Sequence, residues 1–174
     1  IIHLAAQRLP KIDTDSSFNN VFVDYNIFRA CESLNISNIV FASSRSVYGT
    51  NPNIPWCEDC QPSPDNPYSL GKLLSEEMAD YFNNKGLSIK CLRLAQVLSI
   101  NARRKYMLGE FLGNALKGEL IELYATEDQK REYIYVKDVA RGILTALDKP
   151  EVKGVFNLGS GEVVSIPQLA ELIN

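Results

Sequence analysis

Tyr68 and Lys72 are four residues apart and could together transfer protons. On a helix, this spacing places both side chains on one face, one turn apart. The pKa of an unperturbed tyrosine is about 10, and a neighbouring ammonium group lowers it because the positive charge stabilises the phenolate. The pair therefore predicts a tyrosine that exchanges a proton near neutral pH.

The same spacing occurs at Tyr81 and Lys85 and at Tyr133 and Lys137, so spacing alone does not identify the reactive pair. Tyr133 lies in a predicted strand, where four residues span about 13 Å and the two groups cannot couple. Tyr81 lies near the end of the helix that Tyr68 begins, and we interpret its ring as part of a buried apolar stripe. Tyr68, which directly follows a long loop, is the best candidate.

Ser43 and Ser44 follow a predicted strand over residues 39–42. Ligands of parallel sheets bind at the carboxyl ends of the strands, which makes Ser44 a candidate to contact a substrate. A serine in this position can equally cap the backbone of a turn, and composition alone favours that alternative. The joint pattern of a strand-end serine and a helix-start tyrosine favours a site.

Short runs rich in Ile, Leu and Val indicate strands that are buried on both faces of a sheet. They cover residues 1–4, 39–42, 87–94 and 155–158. Because helical patterns alternate with these strands, the sequence predicts an α/β fold with a parallel sheet. The residues at helix-like spacing, which we expect to be buried, are Val21, Tyr25, Phe28 and Ala30 within residues 18–34, and Leu70, Leu73, Leu74, Met78 and Tyr81 within residues 67–82.

The second predicted helix has a clear start, because Asn66 can cap it and Pro67 suits a first turn, where a missing N–H costs little. The proline-rich segment 49–66 before it is predicted to be a loop, and loops of this length inside compact domains are usually functional. Farther along, the pattern predicts a helix over residues 106–117, strands over 121–124 and 132–136, and a helix over 138–147.

Composition argues against several classes of protein. The chain of 174 residues has a net charge of -3, and its basic run over residues 103–105 (Arg, Arg and Lys) is too short to indicate a nucleic-acid partner. No apolar run approaches the roughly 18 residues of a membrane span, so we expect no membrane partner and a cytoplasmic location. Four cysteines are too few for a disulfide scaffold and are expected to be reduced thiols. The chain begins with Ile1 inside an apolar run, which suggests a trimmed N-terminus.

Two short motifs are better explained by local structure than by function. The segment 57–60, CEDC, has the spacing of a redox or zinc motif, but prolines follow it instead of a helix. The chain has no second such pair and no histidine except His3, which we interpret as a strand-end residue, so no metal site is predicted. The Gly-Ser-Gly segment 159–161 lacks the third glycine of a dinucleotide loop and is interpreted as a strand-to-helix turn.

Four signatures follow one another along the chain: IIHLAA over residues 1–6, FASSRSVYG over 41–49, PYSLGK over 67–72 and REYIYVKD over 131–138. In order and spacing they resemble the extended short-chain dehydrogenase/reductases, in particular the nucleotide-sugar 4-epimerases of the NAD-dependent epimerase/dehydratase family. The resemblance implies a three-layer, Rossmann-like parallel sheet, with residues 1–100 forming the C-terminal part of the dinucleotide-binding domain. Residues 101–174 would supply substrate-binding segments and a returning strand.

The resemblance also implies catalytic and cofactor-binding roles. Tyr68 would be the acid/base, Lys72 would bind the nicotinamide ribose and tune Tyr68, and Ser44 would hydrogen-bond the reacting sugar hydroxyl. The cofactor would be NAD, although NADP stays open because the family's glycine loop and the acidic residue after it are absent from the sequence. The other residues that match cofactor contacts of the family are Leu4, Ala5, Ala6 and Asn19.

A nucleotide-diphosphate sugar is the partner that the resemblance implies, and a homodimer is compatible with it. Arg131 matches the arginine that holds the diphosphate, a role suited to a planar and permanently charged group. A solvated charge within the polar segment 128–132 is the alternative that composition favours. Gln96 falls, as a looser match, where the family often has a substrate-contacting residue.

The residues beside Ser44 bear on the reaction. Family members that remove water or carbon dioxide carry an acidic residue there as a second proton-transfer group. This chain has Arg45 and Ser46, so we predict instead an epimerase that oxidises a sugar hydroxyl to a transient 4-keto intermediate and returns hydride to the other face. The alternatives are a reductase or dehydratase of the same family, or a non-catalytic binding module that keeps the fold.

Overall fold

The computed structural model describes residues 1–7, 14–52, 54–99, 107–121 and 130–173. The chain forms two compact units. The first comprises Ile1–Leu94 and Ala140–Leu158, and the second comprises Ala95–Val139 and Gly159–Asn174. No helix within the described ranges is long and apolar enough to cross a membrane.

The secondary structure alternates between strands and helices. In chain order the elements are β1 (Ile2–His3), α1 (Thr14–Ser33), β2 (Asn38–Ser44), a 3-10 helix (Arg45–Tyr48), α2 (Pro67–Asn83), β3 (Ser88–Leu94), β4 (Gln96–Leu98), α3 (Met107–Ala115), β5 (Lys130–Tyr135), α4 (Val136–Leu147), β6 (Gly154–Leu158), β7 (Val163–Ser165) and α5 (Ile166–Ile173). The first unit contains a parallel sheet in the order β1-β2-β3-β6. The predicted α/β fold with a parallel sheet is therefore confirmed.

Successive residues of β3 face different layers of helix, because alternate side chains of a strand point to opposite faces of the sheet. Ile89 and Cys91 belong to a core cluster that includes Phe28 of α1 and Phe82 of α2. Leu92 instead lines a groove together with residues of α4. Helices thus lie on both faces of the sheet, in the three layers that the sequence predicted.

The start of α2 is fixed by local hydrogen bonds. The Asn66 side chain accepts a hydrogen bond of 3.0 Å from the Ser69 N–H, and the Ser69 hydroxyl accepts one of 3.2 Å from the Asn66 N–H. Pro67 occupies the first turn. Such caps stabilise a helix by about 1 kcal/mol, and this one confirms the predicted helix start.

The loop over residues 49–66 folds back on the end of β2. Its described residues, all except residue 53, form neither helix nor strand, as predicted. The Ser63 N–H donates a hydrogen bond of 3.0 Å to the Val47 carbonyl. Gly49 has a φ of +49°, and a Cβ at this position would overlap the Ser63 carbonyl, so the close return of the loop requires glycine.

The buried faces of α1 and α2 differ from the predicted apolar stripes. Tyr81 is 56% exposed, and Leu70, Leu74 and Tyr25 are also exposed, so the prediction that they are buried was wrong; Phe28 is fully buried as predicted. Polar side chains occupy the inner faces of both helices instead, because their hydrogen-bonding partners lie there. They are Ser16, Ser17, Asn20 and Asp24 of α1, and Ser69, Lys72, Ser75 and Glu76 of α2.

The second unit contains a mixed sheet, in which β4 is parallel and β7 antiparallel to β5. The strand predicted over 132–136 and the helices predicted over 106–117 and 138–147 correspond to β5, α3 and α4. The sequence did not predict β4, β7 or α5. Residues 103–105, and all but the first residue of the strand predicted over 121–124, lie outside the described part of the chain.

The Gly-Ser-Gly segment 159–161 connects β6 to β7, so its interpretation as a strand-to-helix turn was wrong. The Gly161 N–H donates a hydrogen bond of 2.8 Å to Oε1 of Glu132. A Cβ on Gly159 would overlap the same carboxylate. The first glycine is required by this close approach, and the next element is a short strand because residues 163–165 pair with β5.

Candidate active site

Lys72 connects α2 to the end of β2. Its side chain is buried, and its Nζ donates a hydrogen bond of 2.9 Å to the carbonyl oxygen of Ala42. The same Nζ lies 4.4 Å from the centroid of the Phe41 ring. Tyr68 lies one turn earlier on α2 and is half-buried. Both side chains line one narrow cleft, whose other lining residues are Ser17, Asn20, Asp24 and Gly71.

Burial and neighbouring charges shift the pKa of Lys72 in opposite directions. Burial lowers the pKa of Lys72, because the ammonium loses its hydration. The negative charge of Asp24 opposes this effect most strongly, and Cys91 and Glu76 add to the opposition. Asp24 thereby helps to keep Lys72 in the ammonium form, which is the form that can stabilise a tyrosine phenolate.

Asp24 is a residue of this cleft that sequence reasoning missed. It is 1% exposed, and its two carboxylate oxygens accept separate hydrogen bonds of 2.7 Å from His3 Nε2 and from the Ser75 hydroxyl. His3 lies in β1, and its ring packs against the rings of Phe28 and Phe41. A signal was present, because Asp24 continues a polar stripe at helical spacing along α1.

Ser44 ends β2 and also caps the 3-10 helix that follows. Its Oγ accepts hydrogen bonds from the Ser46 N–H at 3.2 Å and from the Ser46 hydroxyl at 2.9 Å. The turn-capping alternative is therefore correct as a description of its local role. It does not compete with a substrate role, because an oxygen that accepts two hydrogen bonds can still donate its own proton.

The segment after β1 is held against α1 by Asn20. The Asn20 side chain accepts a hydrogen bond of 2.6 Å from the Gln7 N–H and donates one of 2.9 Å to the Gln7 carbonyl. Asn19, the predicted cofactor contact, is exposed, and its neighbour Asn20 lines the cleft. The other predicted cofactor contacts immediately precede Gln7 and are exposed: Leu4, Ala5 and Ala6.

The predicted substrate contacts belong to the second unit. Gln96 begins β4, is half-buried, and lies opposite Tyr133 of β5. Arg131 lies in β5 opposite Val164 of β7, and its Nη1 donates a hydrogen bond of 3.3 Å to the Lys130 carbonyl. Their roles toward a substrate remain predictions.

The two other tyrosine–lysine pairs have different surroundings. Tyr133 lies in β5, as predicted, and Lys137 is exposed in α4. Lys85 Nζ lies 4.7 Å from the Tyr81 ring centroid on the outer surface, and the hydrogen bond that Lys85 donates to Tyr81 raises the pKa of Lys85. Neither pair lines the cleft that Tyr68 lines.

A buried ion pair stabilises the end of β2 through a hydrogen bond with Ser43. Arg93 of β3 and Glu76 of α2 are both almost fully buried, with 2.7 Å between Nη2 and Oε2. Arg93 Nε donates to both carboxylate oxygens, and the Ser43 hydroxyl donates to Glu76. Ser43 immediately precedes Ser44, so this ion pair fixes the strand end that carries the candidate serine.

Hydrogen bonds of Tyr48 connect this ion pair to the loop over 49–66. Arg93 Nη1 donates a hydrogen bond of 2.8 Å to the Tyr48 hydroxyl. That hydroxyl lies 2.8 Å from Oδ1 of Asn157 and 3.0 Å from the Cys57 carbonyl oxygen. The Trp56 ring stacks on the Tyr48 ring at a centroid distance of 5.1 Å. This network could not be predicted from sequence, because its members are far apart along the chain.

A parallel three-layer unit, with a serine at one strand end and a tyrosine and a lysine at the start of the next helix, is of the Rossmann-like class, whose ligands bind at the carboxyl ends of the strands. The chain belongs to the NAD dependent epimerase/dehydratase family, whose model matches residues 1–159. The predicted family membership is therefore confirmed.

Similar proteins include several sugar-nucleotide epimerases. UDP-N-acetylglucosamine 4-epimerase from Bacillus cereus has a TM-score of 0.94 and 38% identity, over 99% of this chain and 60% of that one. UDP-glucuronate 4-epimerase 4 from Arabidopsis thaliana is 31% identical, over 99% of this chain and 45% of its own length. Another relative, dTDP-4-dehydro-6-deoxyglucose reductase from Escherichia coli, is 28% identical over 57% of its length. The chain spans about half the length of the curated relatives it matches.

Proposed function

We propose that the protein is an NAD-dependent epimerase that inverts C4 of a UDP-sugar, of the UDP-glucose or UDP-N-acetylglucosamine type, through a transient 4-keto sugar. One observation carries the proposal: Tyr68 and Lys72 line one cleft, and Lys72 is hydrogen-bonded to the strand that ends in Ser44. The similarity to 4-epimerases agrees with this assignment.

The exposed segment beside the cleft is open to a dinucleotide. Ala5 and Ala6 are small and exposed, so a flat ring can approach the backbone of this segment, which Asn20 holds in position. We infer that Leu4, Ala5 and Ala6 line NAD, with Asn20 better placed for a contact than Asn19. Lys72 would bind the nicotinamide ribose. When bound, NAD supplies the reversible acceptance of hydride.

The chain's own residues would manage the proton. Tyr68 as a phenolate takes the proton of the sugar C4 hydroxyl and returns it when the keto group is reduced. Lys72 stabilises this phenolate by its charge, and Asp24 maintains that charge. Ser44 donates a hydrogen bond to the C4 oxygen and so orients it toward Tyr68.

The nucleotide part of the substrate would be held elsewhere in the protein. We propose that Arg131 binds the diphosphate as a bidentate partner and that Gln96 contacts the sugar. Arg45 and Ser46 supply no carboxylic acid beside Ser44, which disfavours a dehydratase. A nucleotide-sugar reductase is the second candidate, because a dTDP-sugar reductase is among the relatives.

We propose further that the protein forms a homodimer in the cytoplasm. Phe22 is 67% exposed on α1, and Leu70, Leu74 and Tyr81 are exposed on the adjacent α2. An apolar surface on two packed helices is suited to a second copy. The four free cysteines are consistent with a reducing compartment.

A direct test is to incubate the full-length protein with NAD and UDP-glucose or UDP-N-acetylglucosamine, and to follow the C4 epimers by NMR. An epimerase converts each sugar to its epimer without net consumption of cofactor. A reductase would instead consume NADH or NADPH with a keto sugar. The proposal is lost if the wild type turns over neither sugar and Tyr68→Phe leaves cofactor binding unchanged.

A further inference from the structure

Two of the four cysteines form an accessible thiol pair in the loop over 49–66. The Sγ atoms of Cys57 and Cys60 are 2.9 Å apart. A tight turn holds them together, because the Cys60 N–H donates a hydrogen bond of 3.0 Å to the Cys57 carbonyl and the Cys57 N–H lies 3.2 Å from the Cys60 sulfur. Cys57 is exposed and Cys60 half-buried, whereas Cys31 and Cys91 are buried. Only the loop pair is open to reagents in solution.

The geometry suits a disulfide better than a metal ion. Within the described part of the chain, no group of three or more His, Cys, Asp and Glu side chains could hold a metal. A structural zinc ion takes four ligands. Two thiols already in contact need only a small movement to reach a sulfur–sulfur bond of about 2.05 Å. Prolines after the motif do not prevent this, because the turn itself brings the sulfurs together.

We propose that Cys57 and Cys60 are a modification site that forms a reversible intraloop disulfide by exchange with a low-molecular-weight disulfide. The Cys57 thiolate attacks one sulfur of the reagent, which forms a mixed disulfide and releases one thiol. The Cys60 thiolate then attacks the Cys57 sulfur and releases the second thiol. The two cysteines lose two electrons and two protons, and the reagent gains them as two thiols.

The turn that carries the two thiols is hydrogen-bonded to the network that contains Arg93, Glu76 and Tyr48. The Cys57 carbonyl accepts a hydrogen bond from Tyr48, and Glu58 Oε1 accepts one of 2.8 Å from the Asn157 N–H. The Trp56 carbonyl accepts a bond of 3.1 Å from Asn157 Nδ2. Closing a disulfide would shift these acceptors and therefore the position of Tyr48. This consequence for activity rests on the proposed function, whereas the disulfide itself does not.

The chain contains its own reporter for this reaction. Trp56 is the only tryptophan and directly precedes Cys57. Its indole N–H donates a hydrogen bond of 3.0 Å to the Asn51 carbonyl, and its ring stacks on Tyr48. A disulfide next to an indole quenches its fluorescence, so the thiol and disulfide forms are distinguishable in solution.

The test equilibrates the full-length protein with reduced and oxidised glutathione at a series of ratios, and then alkylates free thiols and maps peptides by mass spectrometry. We expect a Cys57–Cys60 disulfide, a fall in Trp56 fluorescence, and full recovery of both on reduction. Cys57→Ser and Cys60→Ser should each lose the internal disulfide and trap glutathione on the remaining cysteine. Cys31→Ser, a buried control, should behave as the wild type does.

Two results would overturn the proposal: no internal disulfide at any ratio, or the same fluorescence change in the Cys57→Ser/Cys60→Ser double variant as in the wild type. Epimerase assays on the same samples separate the two proposals. Activity that changes with oxidation in the wild type, but not in the Cys57→Ser/Cys60→Ser double variant, supports the link to the site. Unchanged activity overturns that link and leaves the disulfide standing. A protein that forms the disulfide but has no epimerase activity in any state contradicts only the proposed function.

Discussion

Near the carboxyl ends of the strands, the two sides of the α1–α2 helix pair differ in the opposite sense from most surface helices, whereas Phe28 and Phe82, farther along the two helices, are buried in the usual way. The inner side, next to the carboxyl ends of the strands, buries Asn20, Asp24, Lys72 and Glu76, and the outer side exposes apolar rings such as Phe22. Buried polar groups stabilise a fold only when they are hydrogen-bonded, and here each of the four is. Because charge is buried on one side and apolar rings are exposed on the other, stability alone explains neither side. We assign the inner side to catalysis and the outer side to contact with a partner.

Tyr68→Phe should have the largest effect on the inner side. Loss of the phenolic hydroxyl removes the proposed proton-transfer group, so kcat should fall by roughly 10²- to 10⁴-fold while the melting temperature stays unchanged. NMR detection of C4 epimers measures the rate. Tyr81→Phe is the matched control, because it makes the same chemical change on the exposed side of the same helix. Equal activity of the two variants would contradict the assignment of Tyr68.

Glu76→Gln should strongly destabilise the fold. It leaves the Arg93 guanidinium buried without a countercharge, which costs about 3 kcal/mol or more in the free energy of unfolding. Urea titration followed by circular dichroism measures the change. Glu77→Gln, at the exposed neighbouring position, should stay within about 0.5 kcal/mol of the wild type. A small effect at both positions would show that the ion pair is dispensable.

Asp24→Asn should change the pH dependence of kcat. In the proposed mechanism the ammonium is the catalytic form of Lys72, so activity should fall as the pH rises through the pKa of Lys72. Asp24 raises that pKa against the effect of burial, with help from Cys91 and Glu76. Its neutralisation lowers the pKa, and the alkaline limb should therefore move to lower pH. Asp80→Asn, an exposed control on α2, should leave the limb in place.

The alternative outcome for Asp24→Asn is a uniform fall in kcat with an unmoved alkaline limb. That result would assign to Asp24 a structural role through its hydrogen bonds with His3 and Ser75, and it would remove Asp24 from the control of the Lys72 charge.

Phe22→Ala should have the smallest effect on stability. Because Phe22 is 67% exposed, the free energy of unfolding of the monomer should change by no more than about 0.5 kcal/mol. The proposed dimer should weaken about 10-fold or more, as measured by sedimentation velocity. Phe28→Ala on the same helix is the contrast, because that fully buried ring should cost about 3–5 kcal/mol. A dimer unaffected by Phe22→Ala would move the interface elsewhere.

Local signals allowed part of this organisation to be predicted from sequence. Asn66 and Pro67 determine the start of α2 through contacts within one turn, and the strand β3 follows from a short run that is rich in Ile and Leu. These signals depend only on neighbours along the chain, so they can be interpreted without knowledge of the fold. Tyr68, Lys72 and Ser44 were found because each lies next to such a signal.

The missed features depend on distant partners. Asp24 is hydrogen-bonded to His3 and Ser75, which are 21 and 51 residues away, so the local polar stripe along α1 does not show which partners this buried acid has. The apolar stripe that ends at Tyr81 was assigned to the core because periodicity shows that a helix has two faces, and the packing decides which one is inside. At this sheet edge, hydrogen bonding outweighed the burial of apolar rings.

The bond from Lys72 to Ala42 also has a consequence for evolution and design. The acceptor is a main-chain carbonyl, which every amino acid possesses, so no replacement of the side chain at position 42 can delete it. The side chain at position 42 can therefore vary while the lysine keeps its anchor. The variable side chain at this position is thus separate from the main-chain group that holds the lysine of the cleft.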